Sequence, residues 1–122
     1  MKRILLVEDD PLNVELFSAV LVDDGYAVVI ERDGPTARER ALGERFDLIL
    51  LDLQLPRMRG DALCRELRAA GLRLPIVALS AEALPEQIRV NTEAGFDGYL
   101  TKPISPSALR EAVRHHLPKG AS

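Results

Sequence analysis

Short apolar runs alternate with helix-patterned segments from one end of the 122-residue chain to the other. Apolar runs occur at Ile4–Val7, Ala27–Ile30, Leu48–Leu51, Leu74–Leu79 and Gly98–Leu100, and each is followed by a stretch of helical periodicity. Asp10-Pro11 and Ser105-Pro106 each set a capping side chain before proline at a first helical position. Gly25, Gly71 and Gly95 read as helix stops. In the first helix the stripe is read as Leu12, Leu16 and Val20, with Phe17 and Leu21 beside them. The third helix is expected to turn Leu63, Leu67 and Ala70 inward, and the last helix Leu109, Ala112, Val113 and Leu117. Gly34-Pro35-Thr36 opens a short second helix through about Glu44, and a fourth runs near residues 85–94.

Five strand–helix pairs in regular alternation predict an α/β fold: a flavodoxin-like (βα)5 three-layer sandwich on a parallel five-stranded sheet. Right-handed crossovers restrict the strand orders, and 2-1-3-4-5 is the common five-stranded solution. Leu48–Leu51 is apolar at every position, as a central strand covered on both faces should be. One domain over residues 1–122, with an ordered core of about 2–118, follows from the length and the lack of any linker or repeat.

In such sheets ligands bind beyond the carboxyl ends of the strands, where the strand order reverses between strands 1 and 3. Strand 1 ends in Glu8-Asp9-Asp10, strand 3 in Asp52 and strand 4 in Ser80, and Thr101-Lys102-Pro103 follows strand 5. An aspartate after a strand is by itself a common turn cap, and Asp10 before Pro11 fits that role. Asp52 gathered with Glu8, Asp9 and Lys102 at one edge calls for more. At about 4 Å two carboxylates repel by roughly 4 kcal/mol at an effective dielectric near 20. One carboxyl must then stay protonated, or a cation must sit among them. A few hard oxygen ligands open to water suit Mg²⁺. Lysine can meet an anion, and here the choice is informative: the chain has 13 Arg and only 3 Lys, of which Lys2 and Lys119 lie near the termini. A carboxylate nucleophile, a divalent metal, a lysine and a hydroxyl suit phosphoryl transfer.

The stretches LLVEDD, LILLDLQLPRMRG, VALSAEA and GYLTKPIS, in that order and at those strand ends, resemble the receiver domains of two-component response regulators over nearly the whole chain. The details are most like stand-alone receivers of the cell-division type, or receivers attached to hybrid kinases. The resemblance implies that Asp52 accepts a phosphoryl group from a histidine kinase or a histidine phosphotransfer protein, a capacity distinct from enzymatic turnover. It implies Mg²⁺ bound by Asp9, by Glu8 through water, by Asp52 and by the Gln54 backbone carbonyl. Lys102 and Ser80 would contact the phosphoryl oxygens, Tyr99 would be the switch aromatic, and Lys102-Pro103 would be cis. A downstream effector protein would read the switch on the face formed by the fourth helix, fifth strand and fifth helix. Glu at 8 and Ser at 80 depart mildly from the commonest family pattern. Together with Gln54 and Glu82 they leave the phosphate lifetime open.

Three other readings stand beside this one. A haloacid-dehalogenase-type phosphatase would use similar groups, but normally on a D-x-D motif where this chain has Asp52-Leu53-Gln54. A flavin-binding module would carry a hydroxyl- and glycine-rich loop after strand 1, where this chain has acids. A phosphorylation-independent adaptor would keep the fold alone. The net charge of −3 and the lack of a basic stripe disfavour nucleic-acid binding. MKRILLV places only four apolar residues before Glu8, too few for a leader core or a membrane span, so a cytoplasmic protein is expected. Cys64 is read as a small core residue, and His115 and His116 as structural groups at a helix end. The fourth helix lacks an N-cap side chain in Ala83-Leu84 and is expected to be the more mobile part of a switch. The oligomeric expectation is a monomer or weak homodimer.

Overall fold

The computed structural model describes residues 1–82 and 84–117; Ala83 and the predicted core boundary near residue 118 lie outside them. The elements run β1 (Arg3–Val7), α1 (Pro11–Asp23), β2 (Ala27–Glu31), α2 (Gly34–Gly43) and β3 (Leu48–Asp52). They continue with α3 (Gly60–Ala69), β4 (Ile76–Ser80), α4 (Pro85–Ala94), β5 (Gly98–Thr101) and α5 (Pro106–His116). All strand pairs are parallel, in the order β2-β1-β3-β4-β5, so the fold is the predicted flavodoxin-like α/β sandwich.

The twofold alternation of strand side chains divides the core. Leu5, Val7, Ile49, Leu51, Ile76 and Ala78 face one layer with Ala37, Leu63, Leu67 and Phe96. Ile4, Leu6, Leu48, Leu50, Val77 and Leu79 face the other with Phe17, Leu21, Leu109 and Val113. Helices on both sides are why β3 and β4 are buried at every position.

Three helical and strand details differ from expectation. Leu12 is 75% exposed and Leu16 43%, while Val14, Phe17, Val20 and Leu21 are buried. Apolar residues lie around much of α1, and docking of the large Phe17 ring sets the phase. Ala70 is exposed, because it caps α3 where the chain turns away. The fourth strand begins at Ile76, since the Leu74 carbonyl accepts from Arg68 Nη1 (2.8 Å) instead of joining the ladder. Cys64 is buried in the core, with its thiol pushed up to about 11 by that burial.

Candidate functional site

The carboxyl ends of β1, β3, β4 and β5 bring Glu8, Asp52, Ser80 and Lys102 to one edge. Backbone bonds fix each connection. The Glu8 amide donates to the Glu31 carbonyl (3.1 Å), and Asp10 caps α1 by accepting from the Leu12 amide (2.9 Å). Asp10 therefore serves the helix, as its place before Pro11 predicts. The Glu8 Oε2 accepts from the Asp10 amide (3.1 Å), which turns the glutamate side chain inward to full burial.

Lys102 joins the two buried acids. Its Nζ lies 2.8 Å from Glu8 Oε1 and 3.0 Å from Asp52 Oδ2, with the lysine side chain 18% exposed. The other Asp52 oxygen, Oδ1, accepts from the Gln54 amide (2.9 Å), so the loop after β3 holds the carboxylate rotamer. Burial pushes the Glu8 carboxyl above its ordinary value; the Lys102 ammonium and the Asp10 amide oppose that rise, and the Asp52 charge adds to it. For Lys102, burial favours the neutral amine, but bonding to Glu8 and Asp52 outweighs it and raises the pKa. An ammonium lies between the two buried acids.

Asp9 takes no part in these contacts. Its side chain is exposed, and among the described residues no three His, Cys, Asp or Glu side chains gather closely enough to enclose a metal ion. Glu8 and Asp52 meet on Lys102, while the Asp9 side chain, next in sequence to Glu8, is exposed. A magnesium ion still fits, because it retains several waters and needs only one or two carboxylates. Glu8 Oε1 is buried with the Lys102 ammonium 2.8 Å away, and the Asp9 side chain is exposed to solvent.

On the next strand Ser80 is buried, and its Oγ accepts from the Glu82 amide (3.0 Å). The Lys102 amide donates to the Ser80 carbonyl (2.7 Å), tying the ends of β4 and β5 together. Tyr99 is half-buried on β5, and its hydroxyl donates to the Glu82 carbonyl. The Lys102-Pro103 bond is cis, as the resemblance implies.

Sequence reading passed over the role of Gly60. A β-carbon there would lie 2.3 Å from the Asp52 carbonyl oxygen and 2.7 Å from Leu53 Cα. Only glycine lets α3 start this close to the end of β3. The intervening loop is also held by Arg57, in the left-handed region at φ 66, whose guanidinium pairs with Asp33 (2.9 Å) at the N-cap of α2. A glycine after PRMR was the available signal.

Residues 4–114 match the model of the response regulator receiver domain. The chain is 40% identical over 116 residues to the DNA-binding response regulator MtrA of Mycolicibacterium smegmatis, covering 95% of this chain and 50% of that protein. It is 40% identical over 116 residues to the sensor protein GacS of Pseudomonas syringae, covering 91% of this chain and 13% of that protein. It thus spans about half or less of these curated relatives. The receiver domain of the sensor histidine kinase PA1611 from Pseudomonas aeruginosa PAO1 superposes with a TM-score of 0.87 at 38% identity, covering 95% of this chain and 97% of that one. That crystal structure has a magnesium ion coordinated in the active-site cleft. With four strand ends converging on a buried acid–lysine cluster and this match along nearly its whole length, the chain belongs to the response regulator receiver domain family.

Proposed function

We propose that Asp52 accepts a phosphoryl group from the phosphohistidine of a histidine kinase or histidine phosphotransfer protein, and that a downstream effector protein reads the result. The observation that carries this reading is the contact of Lys102 Nζ with Asp52 Oδ2 at 3.0 Å, inside a nearly closed strand end. An Asp52 carboxylate oxygen attacks phosphorus, the phosphorus–nitrogen bond breaks, and the imidazole leaves with the bonding electrons. Lys102 supplies positive charge to the phosphoryl oxygens, and Ser80 supplies a hydroxyl. Asp9, Asp52 and the Gln54 carbonyl, with Glu8 through water, would hold Mg²⁺, which would supply further neutralisation of the transferring group. Glu8 also orients Lys102, a second use of the same carboxylate.

The phosphoryl group carries about −1.5 to −2 charges and replaces the single charge of the carboxylate, so the site gains about −0.5 to −1 beside a fully buried glutamate. Lys102 then divides its contacts between Glu8 and the phosphoryl group. Ser80 leaves the Glu82 amide, and Tyr99 leaves the Glu82 carbonyl. These exchanges bias a two-state equilibrium of the loop after β4, and α4, β5 and α5 present the change to the effector. The protein is a switch that is modified rather than an enzyme that turns over, and it works in the cytoplasm. Incubation with Mg²⁺ and acetyl phosphate tests this: intact mass should show a single phosphoryl adduct on the native chain and none on Asp52→Asn. A native chain that stays unmodified favours the phosphorylation-independent adaptor.

A further inference from the structure

The two ends of α4 are built very differently. At its start, Leu84 is 64% exposed, no side chain caps the first turn, and none of residues 85–90 is buried. Its only buried residues, Asn91 and Ala94, lie in the last turns. Cavities of about 240 Å³ on the β5 side and 130 Å³ on the α3 side flank the helix.

At its end, one arginine from α3 gathers four chain segments. Arg68 Nε and Nη2 both donate to the Gly95 carbonyl (3.0 and 2.8 Å), and Nη1 donates to the Leu72 and Leu74 carbonyls (3.0 and 2.8 Å). Nη2 also meets Asp97 Oδ2 (2.7 Å), which accepts from the Ile76 amide (2.9 Å) at the start of β4. The Arg68 side chain is only 22% exposed. Gly95 is doubly required there: its φ is 112, and a β-carbon would lie 2.7 Å from Arg68 Cγ. The buried Phe96 ring follows at once.

We infer that Arg68 and Gly95 form the fixed joint of α4, about which the loosely held N-terminal half moves. Arg68 is then a positioning residue for the switch, at the opposite end of the sheet from Asp52. The inference rests on the proposed role of α4 in signalling, and it names where that motion stops. A guanidinium is needed because four carbonyl contacts and one carboxylate must be met at once by a planar fork; an ammonium cannot reach them all.

Amide hydrogen exchange on the full chain tests it. In the unphosphorylated protein, Ile88, Arg89 and Val90 should exchange at least roughly tenfold faster than Ala94, Gly95 and Phe96, as local opening of one end requires. Arg68→Met should erase the gradient by accelerating residues 94–96, while β1 and β3 amides keep their protection. Arg68→Lys should fall between. Equal protection along native α4 would overturn the inference, as would an unchanged gradient in Arg68→Met. Equal acceleration of β1, β3 and α4 in both variants would make Arg68 a general stability residue and also overturn it. None of these readings needs phosphate, so failure of the joint is distinguishable from failure of Asp52 as acceptor, which the mass adduct reports.

Discussion

Gly60→Ala should destabilise the protein although the substitution adds one methyl group at a helix start. The new β-carbon would stand 2.3 Å from the Asp52 carbonyl oxygen, where ordinary contact begins near 3.4 Å, so a retreat of about 1.1 Å is required. Both nearest groups are backbone, so no rotamer change relieves the clash. Overpacking of this kind costs about 1–3 kcal/mol. Loss of the Gly60 amide bond to the Leu53 carbonyl (3.0 Å) would add about 1 kcal/mol. Reduced freedom of the unfolded chain offsets about 0.4–1 kcal/mol. The net expectation is a loss of about 1–3.6 kcal/mol, read as a lower urea midpoint at unchanged m-value. Gly43→Ala is the matched control: nothing lies within 4 Å of its added carbon, and it should be neutral or stabilise by up to about 1 kcal/mol. Because the clash falls on the peptide of Asp52 itself, phosphoryl acceptance should slow by up to about 100-fold, the effect of an ångström-scale misplacement. A Gly60→Ala protein as stable as the native one, or a Gly43→Ala protein equally damaged, would refute the close-approach reasoning.

Lys102→Met should abolish adduct formation and lower stability by about 3–5 kcal/mol near neutral pH, because buried Glu8 and Asp52 lose their shared cation. Urea titration across pH checks this, and the deficit should narrow in acid as Glu8, already raised by burial, takes up a proton. His116 is held below its ordinary value of 6.5 by burial and by His115, with Asp97 opposing. The unfolded chain therefore binds more protons just below that value, and stability falls as pH drops from 6.5 through the folded pKa. His116→Gln should flatten that slope in thermal unfolding; an unchanged slope would exclude His116 as its source. Leu12→Ser should change stability by less than about 0.5 kcal/mol, while Phe17→Ala should cost about 3–5 kcal/mol, a contrast that equilibrium unfolding resolves directly.

The parallel architecture was legible because both physical signals agreed: unbroken apolar strands such as Leu48–Leu51 and capped helices such as the one starting at Asp10-Pro11. The site was legible because topology alone sends the ends of β1, β3, β4 and β5 to one edge. What stayed hidden depends on side-chain direction in three dimensions. Two acids adjacent in sequence, Glu8 and Asp9, point to opposite environments, one fully buried and one exposed. The phase of α1 could not be read from a helix carrying leucine and valine around much of its surface. Arg68 resembles any arginine of an amphipathic helix until the carbonyls of Leu72, Leu74 and Gly95 are seen converging on it.

The central claim is that one oxygen of Asp52 takes the phosphate. Borohydride reduction of the acyl phosphate after treatment with Mg²⁺ and acetyl phosphate would convert the acceptor to homoserine, and peptide mapping would locate it. The account predicts homoserine at position 52 alone, dependent on Mg²⁺ and lost in Lys102→Met. Homoserine at Asp9 or Asp10, or 2-amino-5-hydroxypentanoic acid at Glu8, in place of homoserine at 52, or an unmodified Asp52 peptide, would contradict it.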